Sequence, residues 1–233
     1  MPKTYLEPAD IEAMERHALT RDRRTGEMVP CLRDRLLIRV IFWPGIRVSE
    51  ALAIRVEDVD FDQGTVTIKH LKARTRILCP HCETRLTRTA RFCPGCGRQV
   101  DNPVRKEQEA RRMRTIPLDG GTLEMLKDFI HRDGTDGLIF KVSRNQAWKI
   151  IRDSAERAGL GKLINPDTGR VHWVSPHQLR NAFAIMAVKM DGSTDAIRML
   201  QQQLGHANIG TTMKYRKLSG EEQKGWYDKL VKR

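Results

Sequence analysis

The sequence predicts an α+β fold, mainly α-helical, with a small antiparallel β-sheet and a metal ribbon inserted into a β-hairpin. Three observations carry this. Apolar residues recur at three- and four-residue spacing through most of the 233-residue chain. Two short stretches, Gly64–Leu71 and Arg114–Leu118, have the alternation or β-branched content of strands instead. Between them stand Cys79-Pro-His-Cys82 and Cys93-Pro-Gly-Cys96-Gly97, two Cys-x-x-Cys knuckles ten residues apart.

The elements follow in order. Glu7–Leu19 reads as a helix started by Pro8, and Arg21–Gly26 as a polar loop. Pro30–Trp43 is a helix with Leu32, Leu36, Leu37, Val40 and Ile41 on one side, ended by Pro44-Gly45. Ser49–Ile54 is a short helix, which leaves Arg47 on the turn between two helices. Asp62-Gln63-Gly64 is a turn into the first strand, and Asp58, Asp60 and Asp62 belong to that turn rather than to a metal site. Asp101–Arg114 reads as a charged linker or short helix. Arg114–Leu118 is the return strand, so the two strands pair with the ribbon at their tip. Gly121–Arg132 is an amphipathic helix, Leu138–Phe140 a short extended piece, and Ser143–Gly159 a helix capped by Ser143. Gly161–His172 is loop-like. Ser175 and Pro176 open a helix carrying Leu179, Phe183, Ala184, Met186 and Ala187. A further helix over Thr194–Leu204 stops at Gly205, a short one over Ile209–Lys217 presents Tyr215, and Glu221–Val231 closes the chain with Trp226, Tyr227 and Leu230 on one edge.

Four of the five cysteines lie in the knuckles. Each knuckle supplies one edge of a tetrahedron, so Cys79, Cys82, Cys93 and Cys96 are predicted to hold structural zinc. Gly95 and Gly97 let the backbone curl so that amides donate to sulfur. Rubredoxin-like iron or disulfides are the alternatives. Four thiolates leave no open coordination position, which excludes catalysis at this metal. His81 is read as exposed rather than as a ligand, and Cys31 as a buried thiol.

Composition narrows the function. Apolar content of 39% with 30% charged residues fits a soluble globular protein. No stretch approaches the ~20 apolar residues that cross a bilayer, and the start, MPKTYLEPADIEAMERH, lacks a signal-peptide core. An intracellular, cytoplasmic protein without a membrane partner is expected. The net charge is +13, and Lys69–Arg114 alone holds 13 Lys+Arg against 4 Asp+Glu. That points to a polyanion, nucleic acid first.

His177 and Arg180 stand three apart in the first turn of a helix, at the positive end of its dipole, where a phosphate binds. Taken alone they also fit a capped, solvated helix start, and Tyr215 a packed aromatic. Together with Arg47 they gain a chemical sense. Two arginines clamp a phosphate, histidines move protons near neutral pH, and a tyrosine serves as nucleophile where cations lower its cost of ionisation. Arg47, His177, Arg180, His206, Tyr215 and a hairpin lysine fill every role of phosphodiester exchange.

These residues resemble the tyrosine recombinases, the phage-type integrase family. The pieces that carry the resemblance are PGIRVSEALAIRVEDVD around Arg47, RTIPL, HQLR with His177 and Arg180, and LGHANIGTTMKY with His206 and Tyr215. The resemblance implies the recombinase catalytic fold over residues 1–75 and 113–233, interrupted by the zinc ribbon over 76–112. It implies a site-specific recombinase acting on double-stranded DNA through a 3′-phosphotyrosine, needing neither ATP nor a catalytic metal. Tyr215 would attack the scissile phosphate, Arg47 and Arg180 would hold its non-bridging oxygens, and His177 would assist proton transfer. His206 would hydrogen-bond the phosphate, and Lys72, with Lys69 as the alternative, would protonate the leaving oxygen. A monomer in solution and a tetramer in the synaptic complex, associated with the nucleoid, are expected. Asn181 stands where the family usually has a histidine, and is expected to tune the reaction from one step away. The family's usual N-terminal helical domain has no counterpart here, which fits either a fragment or a small catalytic-domain-only member. A type IB topoisomerase and a non-catalytic DNA-binding regulator are the competing readings.

Overall fold

The computed structural model describes residues 3–69, 74–87, 89–108, 113–165, 168–217, 227 and 231. The chain divides into two compact units, residues 1–68 with 114–233, and residues 69–113.

The larger unit begins with α1 (Pro8–Arg16), a hairpin of β1 (Leu19–Arg21) and β2 (Met28–Pro30), and α2 (Leu32–Phe42). Helix α2 is the centre of the core. Leu36, Leu37, Ile38, Val40, Ile41 and Phe42 are all buried, because this helix is covered on several sides rather than along one stripe. Its Arg39 donates to Glu15 of α1 (3.2 Å) and to Asp119 (2.9 Å) and Thr122 (3.0 Å) at the next long helix, tying three helices together by charge. The short α3 (Val48–Ala51) follows. Strand β3 (Val59–Asp60) pairs with β4 (Thr65–Ile68) across a turn in which the Asp60 carboxylate accepts from the amides of Asp62 and Gln63. Asp62 lies in the expected turn, whereas Asp58 ends a one-turn 3-10 helix, Val56–Asp58, and Asp60 closes β3.

The smaller unit contains β5 (Arg74–Leu78) and β6 (Val104–Gln108), paired antiparallel from Arg74 opposite Gln108 to Leu78 opposite Val104. The linker or short helix expected from Asp101 is therefore a strand. Its charged residues mask the pattern, since a two-stranded ribbon with little core behind it needs few apolar positions. Back in the larger unit, β7 (Arg114–Pro117) pairs with β4, Ile68 opposite Arg114, as the interrupted hairpin requires.

Four helices of the larger unit match the expected spans closely. Asp119 caps α4 (Gly120–Asp133), and Ser143 with Gln146 forms a capping box at α5 (Arg144–Arg157). Between α5 and α6 (Pro176–Met190), the stretch expected to be loop forms a hairpin, β8 (Lys162–Ile164) with β9 (Val171–Trp173). Three-residue strands carry too little periodicity to be read from sequence. Ser175 sits at the N-cap of α6, but its hydroxyl bonds the Gln178 side chain instead of a backbone amide. Helix α6 joins two apolar clusters. Leu179 and Ala182 enter the main core, while Ala184, Ile185 and Val188 pack with Ile197, Leu200, Leu204 and Tyr215 from α7 (Thr194–Leu204) and α8 (Ile209–Lys217). The Glu221–Val231 helix falls outside the described residues, apart from 227 and 231.

Candidate active site

The site is organised by a carboxylate that the sequence reading did not single out. Glu50, in α3, is buried. It takes both guanidinium ends of Arg114, at 3.2 and 2.9 Å, and the Arg47 guanidinium at 2.9 Å. It also accepts from the Arg47 backbone amide at 2.9 Å, with Arg180 4.0 Å away. Burial alone would raise its pKa. The hydrogen bonds from Arg114 and the Arg47 amide, with the charges of both arginines, overcome that and hold it at about 2. One anion thus fixes the N-cap of α3 and aims Arg47. Arg47 remains the more open arginine, about a third exposed, whereas Arg180 is sealed.

Arg180 is held by backbone carbonyls. Its guanidinium donates to Gly45 O (2.9 Å) and Leu204 O (2.7 Å). The second is the last residue of α7, where the helix dipole favours a cation. Both carbonyls sit beside glycines with positive φ. At Gly45 (φ +65°) a Cβ would come within 2.3 Å of the Phe183 ring, and at Gly205 (φ +64°) within 2.9 Å of the Arg114 guanidinium. Burial, then the charge of Arg47, lowers the Arg180 pKa to about 10, so it stays cationic at neutral pH.

His206 follows Gly205. Its Nε2 is 3.0 Å from Arg180 Nη2 and its Nδ1 is 2.9 Å from the buried Thr212 hydroxyl of α8. An arginine can only donate, so Nε2 is the acceptor and the ring proton sits on Nδ1, donating to Thr212. Burial and the charges of Arg180, Arg47 and Arg114 push the His206 pKa down to about 4. His177 is likewise lowered, by lost hydration and by Arg180 and Arg47. The Tyr215 ring lies against His206, centroids 6.3 Å apart, and its hydroxyl donates to Asn181 Oδ1 at 2.9 Å. Burial raises the Tyr215 pKa, and the charges of Arg180 and Arg47 oppose that rise. In this state the tyrosine is neutral and lies beside a cationic cluster.

The Phage integrase family model matches residues 9–93 and 100–222. The chain belongs to the phage integrase family. It is 29% identical over 190 residues to tyrosine recombinase XerD of Bifidobacterium longum (strain NCC 2705), which covers 82% of this chain and 51% of the relative. It is 25% identical over 203 residues to tyrosine recombinase XerA of Pyrococcus furiosus, with 83% and 53% covered. The chain therefore spans about half the length of the curated relatives it matches. The crystal structure of XerA recombinase has the same fold, with a TM-score of 0.62 at 18% identity, covering 98% of this chain and 64% of that one.

Of the residues expected from the family resemblance, Arg47, Arg180, His206 and Tyr215 come together directly or through Glu50. His177 lies where both arginine charges reach it. Lys72 lies outside the described residues, and Lys69 belongs to the 69–113 unit. Glu50, Arg114 and Thr212 were missed. Glu50 had one sequence signal, its place one helical turn after Arg47. Asn181, expected to act from one step away, touches the tyrosine hydroxyl.

In the 69–113 unit the sulfur atoms of Cys79, Cys82, Cys93 and Cys96 all lie within 4.8 Å of one another, close enough to hold one metal ion. Cys79 and Cys96 sulfurs are 3.8 Å apart, and those of Cys82 and Cys93 3.4 Å apart. A tetrahedral ion with bonds of about 2.3 Å needs sulfurs roughly 3.8 Å apart. The amides of His81 and Gly95 donate to the first sulfur of each knuckle, at 3.4 and 3.3 Å. The His81 ring faces Arg98.

Proposed function

We propose that this chain cuts and rejoins double-stranded DNA as a site-specific recombinase, through a covalent 3′-phosphotyrosine at Tyr215. The observation that carries the reading is the single cluster of Arg47, Arg180, His206 and Tyr215 around Glu50. The scissile phosphate enters against Arg47 and, once His206 releases it, Arg180 Nη2; the positive charge of the two arginines exceeds the one negative charge of Glu50. The two guanidinium groups hold the non-bridging oxygens as charge builds in the transition state. Tyr215, held in line by Asn181, attacks phosphorus. Its proton passes to His177, which is neutral at pH 7 because its pKa is depressed. The phosphorus–oxygen bond to the 5′-oxygen breaks, and that oxygen takes a proton from a hairpin lysine, Lys72 or Lys69. A 5′-hydroxyl of a partner strand reverses the steps. His206 gives up Arg180 Nη2 to the phosphate and, with its proton moved from Nδ1 to Nε2 and the Thr212 hydroxyl turned to donate to Nδ1, donates to a phosphate oxygen itself.

Residues 1–75 and 113–233 act as the catalytic domain and 76–112 as a structural zinc insertion, with Cys79, Cys82, Cys93 and Cys96 as ligands. Four thiolate ligands are the donor set zinc favours, and the ion would stabilise the fold there without entering the reaction. The protein is a monomer in solution, assembles as a tetramer on two DNA sites, and works in the cytoplasm at the nucleoid. Among the described residues no helix is long and apolar enough to cross a membrane.

The test uses nicked duplexes that lose a short strand after cleavage, in metal-replete buffer without magnesium. A covalent protein–DNA band on denaturing gels is expected, and none with Tyr215→Phe. A DNA-binding protein that gives no band on any duplex would overturn the recombinase reading.

A further inference from the structure

The 69–113 unit carries twelve Lys+Arg against four Asp+Glu, a net +8 of the chain's +13. Four thiolates around a divalent ion add about −2, so some +6 remains on 45 residues. Same-sign charge at that density repels itself and favours unfolding. Among its described residues little opposes this. Its buried cluster is Cys79, Leu86 and Cys93, with Ile77, Ala90 and Val100 packed against them. Among the described residues, Arg85, Arg91 and Arg98 are exposed and none has a carboxylate partner. Beside Arg91 stands Phe92, 62% exposed, opposite Gln99 on the second knuckle. Cys93 turns inward to the sulfur cluster, so strand alternation turns Phe92 outward. A module that served only to cap a hairpin would need neither arginines without carboxylate partners nor a bare phenyl ring.

We propose that this unit is a second, non-catalytic binding surface for duplex DNA. Arg85, Arg91 and Arg98 contact backbone phosphates, Phe92 packs on the sugar or groove edge, and the metal ion keeps all four in place. The inference rests on the DNA partner proposed above and adds a site to it. Because the buried cluster among the unit's described residues is so small, its grip on DNA depends on metal occupancy. Removing the ion removes the grip while leaving the cluster around Glu50 untouched.

The test is equilibrium binding of the full chain to duplex DNA over a salt series, with bound zinc quantified in each sample. For zinc-loaded Arg85→Gln/Arg91→Gln/Arg98→Gln, the slope of log K against log salt should be shallower by about 2–3, near 0.9 per lost phosphate contact. Phe92→Ser should weaken binding about ten-fold at every salt concentration and leave the slope unchanged, as loss of an apolar contact requires. Stripping zinc from the wild type should flatten the slope as the triple variant does. Wild-type slope and affinity in the triple variant, with zinc retained, would overturn the proposal. So would equal binding to an acidic polypeptide, which would make this a protein-docking face. A slope change without any covalent band would leave this surface standing and sink the recombinase reading; a covalent band with an unchanged slope would do the reverse.

Discussion

Replacing Glu50 by Gln keeps the shape of the site and removes the carboxylate charge that faces Arg47, Arg114 and Arg180. The magnitude follows from the pKa. Glu50 falls from an ordinary 4.5 to about 2 in the folded protein, and its side chain is only 2% exposed, so screening by water is slight. A shift of that size corresponds to about 3 kcal/mol of stability. For a chain of this length it is a fall in Tm of roughly 6–12 °C. The sign is fixed by the depressed pKa. The contribution is complete above the unfolded-state pKa and is lost as pH falls from about 4.5 through about 2. Urea unfolding of wild type and Glu50→Gln at a series of pH values reads this directly. Any metal held by the four cysteines is lost from both proteins alike in acid, so the difference between the two curves is the quantity measured. That difference should be about 3 kcal/mol at pH 7 and shrink across the acid window. A difference below about 1 kcal/mol at pH 7, or one that stays constant to pH 2, would refute Glu50 as the charge that holds the site together.

Two further substitutions probe the parts around it. Gly45→Ala places a methyl group 2.3 Å from the Phe183 ring at a positive φ; it should cost about 2–4 kcal/mol by thermal unfolding and displace the carbonyl that holds Arg180. Asn181→Ala removes the acceptor of the Tyr215 hydroxyl; single-turnover cleavage should slow about ten-fold, the worth of one hydrogen bond, with DNA affinity unchanged. Asn181→His, which restores an acceptor nitrogen, should recover most of that rate, and an equal defect in both variants would show that the bond to Tyr215 is not what matters.

Much of the larger unit was legible because its helices carry both an apolar period and end signals. Ser143 and Gly205 mark boundaries that the structure keeps. The knuckles were legible because metal spacing is local. Strands β6, β8 and β9 were not, since each is short and takes its pattern from a neighbour distant in sequence. The same holds within the site. Arg47, His177, Arg180, His206 and Tyr215 could be named from local motifs. Arg114 reaches Glu50 across 64 residues and Tyr215 reaches Asn181 across 34, so neither contact has a local trace. Asn181 could be located as a departure from the family pattern, but its bond to the Tyr215 hydroxyl depends on how α8 packs against α6.

The most direct test of the account is the identity of the residue joined to DNA. A covalent complex trapped on a nicked duplex would be digested with protease and nuclease, and the modified peptide sequenced by mass spectrometry. The account predicts a nucleotide attached through its 3′-phosphate to Tyr215, with a free 5′-hydroxyl on the released strand. Attachment at any other side chain, or through a 5′-phosphate, would contradict it.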